Sequence, residues 1–189
     1  GKELRHNRPF LNFTIAQFVF RWGLAAALPL LPLYWVRNVG ATDPQISAIN
    51  SANTFVAMIA YFVWTVVSRK KGERLVLLIA AFGVSFYPLL TALTNTPLLL
   101  PLWAGLAGFF IAGVDLVFFD IVLATCPGEN QAAYIGIYQT TVYIATFLAP
   151  LTGTVLGDLF GLVPALIIAT VLRLTGAALI ARLGVGRGV

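Results

Sequence analysis

Three charged side chains interrupt long apolar stretches of this sequence. They are Arg21 in FVFRWGLAAALPLL (residues 18–31), Asp115 in GFFIAGVDLVFFD (108–120) and Arg173 in ATVLRLTGAAL (169–179). A guanidinium surrounded by lipid costs at least a few kcal/mol, so each of these groups needs a partner, a water-filled cavity or a ligand. An arginine fork of N–H donors suits a planar anionic group. A carboxylate beside it either neutralises the fork or carries a proton. Thr14, Gln17 and Arg21 recur at i, i+3 and i+7, the spacing of one polar stripe on a helix that is otherwise apolar. Ser47, Asn50 and Thr54 repeat that spacing with Asn53 beside them, and Tyr138 and Gln139 form a further polar step in an apolar run.

Much other chemistry is excluded. His6, the single histidine, lies in the polar N-terminal tail, which argues against a zinc site or a Ser–His relay, and Cys126 is the single cysteine, so no internal disulfide can form. An intramembrane aspartyl protease needs its two aspartates on different helices, whereas Asp115 and Asp120 share one run. No cofactor is called for, and an enzyme is not the expected reading. The net charge of +5 does not indicate nucleic acid, because no basic face with interleaved aromatics stands outside the apolar runs.

Hydrophobic residues make up 59% of the 189 residues and charged residues 10%, against about a quarter charged in soluble domains, so the chain belongs in a lipid bilayer. Six apolar runs are long enough to cross it: roughly 10–36, 45–67, 75–94, 98–125, 131–157 and 162–183. They are separated by NVGATDP (38–44), SRKKGER (68–74), TNTP (94–97), CPGEN (126–130) and GDLFG (157–161). With the N-terminus in the cytoplasm, the inner segments carry Lys2, Arg5, Arg8, Arg69, Lys70, Lys71, Arg74, Arg182 and Arg187, and the outer ones only Arg37. Both termini are therefore expected to be cytoplasmic. Tyr34, Trp35 and Trp64 lie near helix ends, where interfacial belts form. Residues 1–9 read as a cytoplasmic leader, 10–183 as the six-helix bundle and 184–189 as a cytoplasmic tail. The chain opens on Gly1 with no initiator Met or signal peptide, and reads as a piece of a longer one.

At 1.5 Å per residue, Arg21 lies roughly 16 Å along the first segment, and Asp115 and Arg173 each lie about 15 Å from an inner end. Three charges at one depth point to a shared midplane site. Asp115 is expected to pair with Arg21, with Arg173 as the competing partner. Asp120, five residues on, is nearer the cytoplasm and faces elsewhere; Arg69, Lys70, Arg74 or Arg182 would hold it as an inner gate latch. A buried Asp–Arg pair that only fixes helix register stays open beside substrate contact and proton coupling. Small residues four apart, Gly108 with Ala112 and Gly153 with Gly157, suit close helix packing, and Pro29, Pro32 and Pro150 suit kinks.

Sliding the chain by 86 places sets DPQISAINSANTFVA (43–57) against ENQAAYIGIYQTTVYIA (129–145), aligning Gln45 with Gln131, Asn53 with Gln139 and Thr54 with Thr140. Those two segments run in opposite directions, as in a three-plus-three inverted repeat of secondary transporters. The loop TVVSRKKGERL (65–75) resembles, in degraded form, the motif between helices 2 and 3 in each half of the major facilitator superfamily; Lys70, Gly72 and Arg74 match it by type. LAPLTGTVLGDLFGL (148–162) is similar to that family's penultimate helix and outer loop, with Pro150, Gly153, Asp158 and Gly161 in place. PLYWVRNVGATDPQISAIN (32–50) resembles the first outer loop of its second half.

The resemblance implies an all-α polytopic protein, the C-terminal six-helix half of a transporter. It would move a small-molecule substrate by alternating access, with a proton as candidate co-substrate. Its partner would be an N-terminal half of the same chain or a second six-helix copy. Gln17, Arg21, Asn50, Asn53, Asp115, Tyr138 and Gln139 would line the pathway, and Arg69, Lys70, Arg74, Asp120 and Arg173 would carry gating or structural charge. The implied location is the inner (plasma) membrane of a prokaryote. A non-transporting scaffold or receptor with a transporter-like fold is the alternative.

Overall fold

The computed structural model describes residues 7–125 and 131–186, of Thr125 the backbone only. The expected CPGEN loop with Cys126, and also Lys2, Arg5, His6 and Arg187, lie outside the described residues. The first span is α1 (Arg8–Ala27) followed by α2 (Leu30–Arg37), and the second is α3 (Asp43–Lys71). The third is α4 (Glu73–Ser85) followed by α5 (Tyr87–Ala92). A 3₁₀ turn (Pro97–Leu99) leads into α6 (Leu100–Thr125), the fourth; α7 (Gln131–Phe160) and α8 (Leu162–Arg182) complete the set. All six spans are long and apolar enough to cross a membrane.

Local chemistry sets the helix ends. Asn7 Oδ1 accepts from the Phe10 N–H at 3.2 Å and opens α1. Gln45 Oε1 accepts from the Thr42 N–H at 2.9 Å and opens α3. Arg69, Lys70 and Lys71, read as loop, are instead the last turn of α3, where cations complement exposed carbonyls. Gly72 and Gly161, at φ +87° and +88°, make the two single-residue turns from α3 to α4 and from α7 to α8.

The two halves of the bundle exchange equivalent contacts. α3 packs on α6 as α7 packs on α1, and α4 packs on α6 as α8 packs on α1. Glycines set the closest approaches. A methyl group at Gly23 of α1 would lie 2.8 Å from the backbone N of Arg173, and one at Gly176 of α8 would run into the Phe20 backbone. On the other side, one at Gly83 of α4 would strike the Phe110 ring, and one at Gly113 of α6 would lie 3.0 Å from Ala80. The same Phe-x-x-Gly pattern, Phe20–Gly23 and Phe110–Gly113, thus serves both halves.

Buried apolar residues form two main clusters. One gathers Phe13, Phe20, Val84, Ala107, Phe118 and Ala177; the other gathers Ala27, Leu30, Tyr34, Ala104, Leu166 and Ala169. Between them, along α8, sits Arg173. The outer spans are unevenly covered. Only 11% of the most apolar window of α3 and 17% of that of α7 is buried, against 56% in the first span.

The interfacial belt reading is corrected. Tyr34, Trp35 and Trp64 are all buried. Trp64 Nε1 donates to Phe109 O at 2.7 Å, and the Tyr34 hydroxyl donates to Ala92 O at 2.9 Å. The polar tips of Tyr34 and Trp64 thus find backbone acceptors on neighbouring helices, while Trp35 Nε1 is buried without one, so these amphipathic rings serve helix packing.

Candidate functional site

Arg21 and Asp115 meet. Arg21 Nη2 donates to Asp115 Oδ1 at 3.3 Å and to the Tyr138 hydroxyl at 3.3 Å, joining α1 to α6 and α7. The pair is half-buried, with side chains 22% and 40% exposed. Its surroundings are aromatic: the guanidinium carbon lies 5.4 Å from the Phe118 ring centroid, and Phe13 stacks on Tyr138 at 5.7 Å. A cation held over a ring face in poor solvent is stabilised by the ring quadrupole. Phe118 escaped notice in the sequence, although its place one turn beyond Asp115 on a helix marks it as a neighbour. Arg21 Nε is buried without a hydrogen-bond partner. One turn earlier, the fully buried Gln17 donates through Nε2 to Thr141 Oγ1 at 2.9 Å. Thr14, at the foot of the stripe, spends its hydroxyl on Phe10 O of its own helix at 2.8 Å.

Arg173 does not compete for Asp115. It is 3% exposed, and its three bonds all go to backbone carbonyls. Nε donates to Gly23 O at 3.1 Å, Nη2 to Leu24 O at 3.3 Å and Nη1 to Val84 O at 3.2 Å. The reason lies in two prolines. Pro29 has no N–H for Ala25 O, so Leu28 N–H turns to Ala25 O at 3.1 Å and deserts Leu24 O. Pro88 likewise has no N–H for Val84 O, four residues before it, and the third span breaks at Phe86. In a bilayer such freed carbonyls must find donors within the protein. Arg173 reaches from α8 and supplies both breaks. Of the expected kinks, Pro29 is a break; Pro32 sits inside α2 and Pro150 inside an unbroken α7. The break at Pro88 was not foreseen.

Beside these groups lies a cavity of about 260 Å³ at the seam between the two apolar clusters. Arg21, Asn53, Tyr87, Thr146 and Arg173 supply its polar lining; Leu24, Val84 and Ile111 are among its apolar walls. Five of the six spans that line it thus meet at the level where both proline breaks occur, and α8 adds Arg173. Asn53 also donates through Nδ2 to Ala104 O at 2.8 Å, so it fastens α3 to α6 at the point where Gly108 lets the two backbones touch. Asn50 and Gln139 are exposed, on the thinly covered spans α3 and α7. Tyr87 was missed because it gains its place only from the break next to it.

The inner charge latch is not formed in this structure. Among the described residues no salt bridge reaches Asp120, while Arg69, Lys70 and Arg182 are exposed. Arg74 Nη2 instead donates to Ala181 O at 3.4 Å, near the end of α8. The carbonyls at a helix C-terminus attract a cation, and α4 lies against α8.

Comparison with known proteins gives a consistent picture. A family model described as Major Facilitator Superfamily matches residues 13–187. The chain is 31% identical over 157 residues to the Staphyloferrin B transporter of Staphylococcus aureus, covering 79% of this chain and 37% of the relative. It is 31% identical over 167 residues to the Multidrug resistance protein MdtG of Citrobacter koseri, covering 81% and 39%. It is 22% identical over 148 residues to the Uncharacterized MFS-type transporter MJ1560 of Methanocaldococcus jannaschii, covering 78% and 38%. The chain therefore spans well under half the length of these curated relatives.

Proposed function

This chain belongs to the major facilitator superfamily, and from that premise we propose that it is the C-terminal half of a secondary transporter that moves a small solute by alternating access. One observation carries the reading. The midplane cavity, with Arg21, Arg173, Asn53 and Tyr87 on its wall, takes lining residues from α3 and α7, the two spans the bundle leaves most uncovered. A second six-helix bundle laid against those two faces closes the cavity and makes a site between two bodies that rock. The relatives' greater length supports placing that bundle in the same chain.

Gln17, Arg21, Asn50, Asn53, Asp115, Tyr138 and Gln139 line this half of the pathway; Asn50 and Gln139 do so from the uncovered faces. Asp115 is the group that takes up a proton if transport is proton-coupled. Arg69, Lys70, Arg74 and Asp120 meet as a latch in another state of the cycle. Both termini are cytoplasmic, with residues 1–9 ending the central loop and 184–189 forming the tail, in a prokaryotic inner membrane.

The test is solute counterflow in proteoliposomes holding the full-length chain, compared with R21Q and D115N. Transport predicts that each neutral variant loses flux while remaining folded. Normal flux in both would remove the site assignment. Retained partner binding with no flux in the parent chain itself would favour a scaffold.

A further inference from the structure

The cavity collects positive charge without matching negative charge. Both Arg21 and Arg173 line it. Among the described residues the one ion pair is Arg21 with Asp115, so Arg173 stands at the seam with no acidic partner. Its three backbone carbonyls satisfy hydrogen bonds but carry no net charge. A guanidinium has five N–H donors in a fixed fork, so these three bonds leave part of the fork free. Arg21 also keeps a buried Nε without a partner.

Packing alone does not ask for an arginine at this place. In the other half of the bundle, the residue three before the packing glycine Gly83 is Ala80, which lies against Gly113. In this half, the residue three before the packing glycine Gly176 is Arg173, which lies against Gly23. An alanine suffices for the equivalent crossing. Donors for the two freed carbonyls could come from a neutral amide at far lower desolvation cost, since burying an unpaired charge is strongly unfavourable. The charge itself is therefore what the position retains, and the counter-charge has to arrive from outside the bundle.

We propose that Arg173 and Arg21 form an anion-binding site in this cavity, so that the solute carried here presents a carboxylate, phosphate or similar oxyanion to the two guanidiniums. This deepens the transporter reading above and rests on it for the solute's passage, though not for its binding. Tyr87 and Asn53 also line the cavity, both neutral residues with hydrogen-bonding side chains. The apolar walls from Leu24, Val84 and Ile111 lower the local dielectric and so strengthen the charge–charge attraction. Asp115 balances one arginine only, which leaves the cavity net positive until the anion enters.

Inorganic phosphate is the probe. Its binding to the full-length chain in detergent is followed by calorimetry at constant ionic strength, in the parent and in R173K and R173Q. Both substitutions disturb the carbonyl clamp, but only Gln removes the charge. Saturable phosphate binding is expected in the parent, retained within about tenfold in R173K and lost by more than tenfold in R173Q, tenfold being about 1.4 kcal/mol. Absence of saturable binding in the parent overturns the assignment, and so does equal weakening in the two variants, which is the signature of a purely structural Arg173. Should either variant fail to fold, phosphate protection of the parent against heat, measured against equal chloride, decides in its place. Binding is read without flux, so a negative result removes the anion site and leaves the counterflow test standing. A positive result in a chain whose flux survives R21Q and D115N keeps the anion site and removes the transport pathway drawn through it.

Discussion

Neutralising Asp115 tests whether the Arg21–Asp115 pair is a working contact or a passive one. Charges 3.3 Å apart attract by about 5 kcal/mol at an effective dielectric of about 20, and by about 1 kcal/mol in bulk water. The pair is half-buried, with the carboxylate 40% exposed, so the true coupling falls toward the lower bound. Exposed pairs measured by mutant cycles give about 0.2–1 kcal/mol. The Phe118 ring and Tyr138 hydroxyl restrict water around the arginine side, which raises the value to about 1–2 kcal/mol. The assay is a double-mutant cycle on the full-length chain in detergent, with R21Q, D115N and the double variant compared by unfolding. D115N alone is expected to cost more than the double variant predicts by addition, because it strands a guanidinium whose Nε is already without a partner. Coupling below about 0.3 kcal/mol, the level at which independent sites simply add, would refute the reasoning.

Two further outcomes follow from the packing. G108A places a methyl group into the Asn53 carbonyl and is expected to cost about 1–3 kcal/mol, whereas G136A enters open space and should be neutral or stabilising by up to about 1 kcal/mol; thermal unfolding of both compares them directly. R173M strands Leu24 O and Val84 O and should cost about 2–6 kcal/mol at about 1–3 per buried orphan. Adding P88A restores an N–H toward Val84 O and is expected to recover part of that loss, while further destabilisation by P88A would contradict the account of the break.

The spans were legible in the sequence because apolar length and charged breaks depend on the bilayer alone. A midplane Asp–Arg contact was legible too, with Arg21 favoured and Arg173 left open, since opposite charges at one depth have few places to go; the structure selects Arg21. The partners of Arg173 were not. They are carbonyls, which every residue carries, and they were freed by Pro29 and Pro88, far from Arg173 in sequence and adjacent only after folding. Trp64 and Trp35 misled for a related reason: a position near a helix end gives depth but not the direction a ring faces. The latch at Asp120 is not formed in this structure, where Arg74 instead donates to a carbonyl near the end of α8. Asn53 was read only as a neighbour of the stripe Ser47, Asn50 and Thr54, and the close approach at Gly108 that brings Ala104 O within its reach could be read only from the crossing of α3 and α6.

The carbonyl clamp also orders the birth of the protein. The first and third spans are broken, and the donor that completes both breaks resides in α8, which follows both of them in the chain. Until α8 enters, Leu24 O and Val84 O lack this donor, so the bundle's own backbone stays incomplete until α8 arrives.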